Sequence, residues 1–410
     1  MTILDFMTDA FTNPFRPGAG HKPPYLAGRV EETQEFSKLL EQTVVMQNLV
    51  ITGLRGIGKT VLLESFKPMA QSTGWLWAGT DCSESASVSE DTMALRLLTD
   101  VALITSSVKI PNLINNSIGF IKNPASNNAY LSYDFLVNLY SDNPGLPSDK
   151  LKATLAFVWS CLEPTQIRGI VFAYDEAQTL SDHAIDKQYP LSVLLDVFQY
   201  LQKCEIPFML ILTGLPTLLA KLIETRTYTE RLFKVIILKQ LTPEASREAI
   251  IVPIKASSHP LMFTDSGIKI IIEQSGGYPY FIQFLCREIY DILEQQQNKG
   301  EDFYIPIDAL LQKLDNDFFA GRWARATERE KELLTLIAMS QVSNFGIQQV
   351  VNLSLKSEIK PFSKSQLSQM FARLIDSGLL YKDRPGSYSF AVPLLERYIK
   401  RLDSQAGVKV

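Results

Sequence analysis

Before residue 241 the chain alternates short apolar runs with stretches whose apolar residues recur every three or four positions. The runs are 49–52, 74–79, 170–174, 208–212 and 235–238. Residues 170–174 and 208–212 show no polar alternation, which predicts strands buried on both faces of a parallel sheet. Between the runs, helical spacing is predicted over 31–42 (Phe36, Leu39 and Leu40 on one side), 92–104, 151–162, 191–204 and 218–224. A further helix from Thr60 should kink or end at Pro68. Strands alternating with helices in this way predict an α/β, doubly wound sheet with crossover helices.

The pattern then changes. Residues 243–254, 266–275 and 280–296 read as a small helical lid. Residues 328–339, 348–353 and 363–377 read as three further helices, and 379–382 with 388–392 form a hairpin around Arg384-Pro385-Gly386. Three helices and a hairpin are the winged-helix pattern, a helix-turn-helix variant. Residues 1–25 carry too many prolines and glycines for regular structure and predict an extended arm. The domains expected are an arm (1–25), a nucleotide core (26–240), a lid (241–326) and a winged helix (327–410). Residues 111–128, rich in Asn and Ser, read as a surface insertion.

Composition adds limits. At 410 residues and 46% hydrophobic, the chain can fill two or three cores. A net charge of −4 gives no chain-wide signal for nucleic acid or an anionic membrane. Cys82, Cys161, Cys204 and Cys286 lie far apart and read as reduced core thiols. His21, His183 and His259 have no metal spacing. The N-terminus lacks the basic start of a signal peptide, and the apolar runs are far short of a bilayer span. A cytoplasmic protein with no membrane association is expected.

The candidate chemistry begins at Gly53-Leu54-Arg55-Gly56-Ile57-Gly58-Lys59-Thr60, which fits G-x-x-x-x-G-K-[ST] between a strand and a helix. Backbone N–H groups of Gly53, Gly56, Ile57 and Gly58, with the helix start at Thr60 and Val61, make an anion cradle. Lys59 can reach outer phosphates, and the Thr60 hydroxyl can ligate Mg²⁺. Asp175-Glu176 ends the buried run at 170–174. Ligands sit at the carboxyl ends of strands in such sheets, so Asp175 would hold Mg²⁺ through water and Glu176 would act as general base. Thr213, ending the next run, either bonds the attacking water or γ-phosphate or is an ordinary strand-end threonine.

Taken in order, the phosphate loop, the acidic pair, the polar strand end, the lid and the winged helix resemble the AAA+ ATPases. The resemblance covers roughly residues 15–401 and is strongest to the branch of archaeal-type ATPases, origin-recognition initiators and STAND signalling NTPases. It implies ATP and Mg²⁺ as ligands and a homo-oligomer that hydrolyses ATP. Pro23-Pro24-Tyr25-Leu26-Ala27-Gly28-Arg29-Val30-Glu31-Glu32 is similar to the family's box that packs along adenine, which places Leu26 and Arg29 at the base. Arg231, with Arg226 as the other candidate, resembles the arginine that reaches a neighbour's γ-phosphate; a surface ion pair is the alternative. The lid carries Gly276-Gly277-Tyr278-Pro279-Tyr280 where initiators carry an arginine. That resembles STAND lids, whose proline (here Pro279) packs on the base.

In the winged helix, Leu367, Met370, Phe371, Leu374 and Ile375 form one stripe. Ser365, Ser368, Gln369 and Arg373 form the opposite one, suited to a major groove. From 353 to 402 there are nine Lys/Arg against four acids, 9 − 4 = +5. Double-stranded DNA is therefore one expected partner. The alternative is a STAND-like switch, of the kind used in antiphage defence, that activates a partner effector protein on ATP-driven assembly.

Overall fold

The computed structural model describes residues 13–18, 20–109, 130–226, 228–257, 261, 263–340, 342, 344–384 and 386–407. The insertion at 111–128, His259 and Pro385 lie outside them. The chain divides into two compact units, Arg29–Gly53 with Leu62–Ile237, and Leu54–Val61 with the residues up to Gly28 and those from Leu238 onward. Each is described by itself.

The first unit holds α1 (Val30–Glu41), β1 (Asn48–Thr52), most of α2 (Lys59–Ser72), β2 (Trp75–Ala78), α3 (Glu90–Thr105), α4 (Tyr133–Asp142), α5 (Pro147–Leu162), β3 (Gly169–Tyr174), α6 (Pro190–Lys203), β4 (Phe208–Gly214), α7 (Thr217–Thr225), α8 (Thr229–Leu232) and β5 (Phe233–Ile237). All strand pairs are parallel, in the order β2-β3-β4-β1-β5. The continuous apolar runs account for this: β1, β3 and β4 are buried at every residue. Polar groups inside the sheet need partners, and the Asn48 side-chain Oδ1 accepts the Leu210 N–H at 2.7 Å. The register pairs Val50 with Leu212 and Leu212 with Tyr174, so β1, β4 and β3 end on one edge.

Two details depart from the sequence reading. Helix α2 runs through Pro68 to Ser72; both Glu64, whose carbonyl loses its N–H partner, and Pro68 are exposed, so water satisfies the freed group. Helix α4, capped by the Ser132 hydroxyl accepting the Phe135 N–H at 3.4 Å, was not anticipated.

The second unit holds α9 (Pro243–Ala256), α10 (Asp265–Ser275), α11 (Pro279–Lys299), α12 (Ile307–Leu314), a π-helical turn (Asp315–Ala320), α13 (Gly321–Trp323), α14 (Glu328–Met339), α15 (Ile347–Ser354), α16 (Lys364–Asp376), β6 (Leu380–Arg384), β7 (Ser387–Phe390) and α17 (Leu395–Gly407). Of the arm, residues 1–12 lie outside the described ones; residues 13–18 and 20–25 form no helix or strand, and Phe15 is buried with ring contacts to Phe263 and Tyr290. Helices α14, α15 and α16 precede the antiparallel pair β6-β7, and Phe345 bridges to Tyr388 as a third short strand. Leu367, Met370, Phe371 and Leu374 are buried as the stripe predicted, whereas Ile375 is only half-buried. The unanticipated α17 packs back on this unit: Tyr398 stacks on Phe319 at 5.3 Å and Arg401 pairs with Asp315.

Gly277 shows how tightly the lid is built. Its φ is +73°, its carbonyl accepts the Leu241 N–H at 2.9 Å, and an added Cβ would lie 2.5 Å from the Leu241 oxygen. Gly300 has a similar φ of +68° but open space around it. Gly277→Ala should therefore cost at least about 2 kcal/mol and Gly300→Ala about 1 kcal/mol. Thermal unfolding checks this; equal midpoints for the two variants would contradict it.

Candidate functional site

The glycine loop leaves β1 at Gly53. Gly56 and Gly58 take φ of +74° and +94°, conformations that L side chains rarely adopt. Ile57 is buried, and Thr60 and Val61 are half-buried at the start of α2. Lys59, only 7% exposed, donates from Nζ to the Leu54 carbonyl at 3.2 Å, so its charge is held against the loop's own backbone.

The lid meets this loop directly. The Tyr280 N–H, in the first turn of α11, donates to the Gly56 carbonyl at 3.1 Å. A Cβ on Gly56 would stand 3.0 Å from that of Tyr280, and one on Gly58 would stand 3.9 Å from Pro279 Cγ. The Tyr280 ring lies 5.4 Å from Phe318, over which the Arg322 guanidinium sits at 4.4 Å. Burial, then the charges of Arg55 and Arg325, push the Arg322 pKa below its ordinary value.

The acidic pair is built with equal care in the sheet unit. Tyr174 donates its hydroxyl to Asp100 at 2.9 Å, and Asp100 is paired with Arg96, which ties α3 to the end of β3. Asp175, 4% exposed, donates its N–H to the Thr80 carbonyl and accepts the Cys82 N–H at 2.8 Å. Its Oδ1 accepts the Glu176 N–H at 2.8 Å. Glu176 is exposed and left-handed, φ 51° and ψ 31°, a conformation that costs about 1–3 kcal/mol and persists only where the surroundings fix it. Lys221 on α7 donates to the Gln178 and Leu180 carbonyls and the Ser181 hydroxyl, clamping the turn after Glu176.

Thr213, at the end of β4, is fully buried, and its hydroxyl has no hydrogen-bond partner among the described residues. Such an orphan costs about 1–3 kcal/mol and calls for an occupant. The edge of the sheet thus brings Asp175, Glu176 and Thr213 to neighbouring strand ends. Arg231 and Arg226 are exposed, and Arg231 makes no ion pair among the described residues. Arg29, 6% exposed, stands just before α1 and bonds Glu32 at 3.2 Å; burial lowers its pKa and Glu32 partly offsets this. Leu26 is half-buried, and the nearby Gly28 (φ +60°) would carry a Cβ 2.6 Å from that of Ala245 on α9.

Sequence reasoning stopped at Asp175-Glu176 and missed Gln178, Lys221 and Tyr280. Gln178 belongs to the same Asp-Glu-Ala-Gln string and was within reach. The lid contact of Tyr280 had no sequence signal.

Comparison with known proteins adds three findings. The family described as Domain of unknown function (DUF8462) matches residues 316–399. Comparison with curated proteins gives no match. Among solved structures, the ADP form of the Aeropyrum pernix ORC2 protein is similar at 16% identity and a TM-score of 0.52, with 96% of this chain and 98% of that one covered. The same protein's ADPNP-ADP complexes give 14% identity and 0.51, at the same coverage. What is shared at these identities is the fold, and the chain has an AAA+-type fold.

Proposed function

We propose that this chain binds ATP with Mg²⁺ and hydrolyses it as a self-assembling AAA+-type protein whose C-terminal winged helix engages double-stranded DNA. The observation that carries the reading is the glycine loop, left-handed at Gly56 and Gly58 with Lys59 folded against its backbone. Its amides cradle the phosphates, and Lys59 exchanges the Leu54 carbonyl for phosphate oxygen. Thr60 and Asp175 would hold the metal, which when bound neutralises charge on the β- and γ-phosphates. Glu176 accepts the proton of the attacking water, and the orphan hydroxyl of Thr213 bonds that water or the γ-phosphate. Leu26, Arg29 and Pro279 serve the base, and exposed Arg231 is offered to a neighbouring subunit's γ-phosphate.

For DNA, the face of α16 with Ser365, Ser368, Gln369 and Arg373 is exposed, as are Lys356, Lys360, Lys364 and Lys382. Changing Lys364, Lys382 and Arg384 together to glutamine should weaken duplex binding and lower the salt slope by about 2–3. Gel shifts at several salt concentrations read this; unchanged binding removes DNA from the proposal.

One observation favours a second reading, a STAND-like switch acting on an effector protein. Four of the nine cations counted from 353 to 402 are engaged inside the unit: Arg373 with Glu330, Arg397 with the Glu273 carbonyl, Lys400 with Glu396 and Arg401 with Asp315. That suits a domain used for packing and signalling. Light scattering without DNA tests the switch: it gains mass with ATP alone, whereas an unchanged mass with ATP removes it.

A further inference from the structure

The turn after the acidic pair ties Glu176 to the end of β4 through one side chain. Gln178 lies two residues beyond Glu176. Its Oε1 accepts the Leu215 N–H at 3.0 Å, just past the end of β4. Its Nε2 donates to Glu176 Oε2. The orientation of the amide is not arbitrary. A backbone N–H only donates and an ionised carboxylate only accepts, so the oxygen must face Leu215 and the NH₂ must face Glu176.

Everything around Gln178 holds it there. Its own carbonyl accepts from Lys221 at 2.6 Å, fixing the backbone. Its side-chain oxygen lies where a Cβ on Gly214 would be, at 2.6 Å, so only glycine lets the amide approach β4 this closely. Glu176 is held from its other side, because its N–H is taken by Asp175 Oδ1. The bond from Gln178 occupies Oε2 and leaves Oε1 to accept from water.

We propose that Gln178 is the positioning residue for Glu176, fixing the carboxylate in register with the end of β4, which carries Thr213. This rests on the reading of Glu176 as general base. An exposed glutamate with free rotamers spends little time in one orientation, and a carboxylate anchored through one oxygen presents the other in a defined direction. A simpler role, in which Gln178 only caps the Leu215 N–H, uses the same geometry but predicts different behaviour on substitution.

The test compares wild type, Gln178→Met and Gln178→Glu by phosphate release at saturating ATP and by equilibrium ATP binding. Glutamate keeps the acceptor for Leu215 but turns a second carboxylate on Glu176; methionine removes both bonds. Both variants should bind ATP like the wild type, since the glycine loop is untouched, and both should lose about tenfold or more in kcat. Wild-type kcat in Gln178→Glu reduces Gln178 to a turn cap and overturns the proposal. So does a loss of ATP binding in step with kcat. A wild type that releases no phosphate overturns the hydrolysis reading itself, an outcome distinct from an active wild type beside an equally active Gln178→Glu.

Discussion

Lys59→Ala is expected to lower ATP affinity by about a hundredfold or more. A hydrogen bond to a charged group contributes about 1.5–3 kcal/mol, and Lys59 can donate several to phosphate oxygens from a site only 7% exposed, where water competes poorly. A hundredfold corresponds to about 2.7 kcal/mol, within reach of one or two such bonds. The fold should survive the change. The change gives up the bond to the Leu54 carbonyl, and alanine is well tolerated at the start of α2. Titration calorimetry with ATP and Mg²⁺ measures the effect. A variant that binds within threefold of wild type, to about half a log unit, would deny Lys59 its phosphate role.

Glu176→Gln is the second large effect, and it separates binding from chemistry. Glutamine keeps the shape, can still accept from the Gln178 amide and sits in the same left-handed turn, but it cannot take a proton. General-base catalysis contributes roughly 10²–10⁴ in rate, so kcat should fall by about a hundredfold or more while ATP affinity holds. Phosphate release by the two proteins under identical conditions is the measurement. Equal release would take Glu176 out of the reaction.

Much of this could be read from the order of the amino acids because the signals are local. Strands β1, β3 and β4 are continuous apolar runs buried on both faces, and the loop after β1 is a spaced motif. Their ends therefore followed within a residue or two. The prolines of the N-terminal arm spoke against regular structure, but the destination of Phe15 was not legible. Phe15 enters the core beside Tyr290, some 270 residues later, and composition carries no such address. Helix α17 was missed because it follows Pro393 and is rich in charge; its place is secured by tertiary contacts of Tyr398 and Arg401. The cation count near the C-terminus misled in one respect, since counting treats each charge as free and folding pairs several of them.

The site shows the same division. Asp175 and Glu176 were legible because a strand's end fixes where its last residues point. Gln178 acquires meaning only when β4 closes beside it and Gly214 admits its side chain. Thr213 gains weight only once its hydroxyl is seen buried without a partner among the described residues. For Arg231 the structure adds exposure and, among the described residues, no ion pair.

The central claim is that the glycine loop of this chain grips a triphosphate. Calorimetric titration of the wild-type protein with ATP and Mg²⁺ tests it most directly. Saturable binding of one nucleotide per chain, with thermal stabilisation that grows with ATP as mass action requires, is the predicted result. No heat of binding and no shift in the unfolding midpoint at millimolar ATP would contradict it.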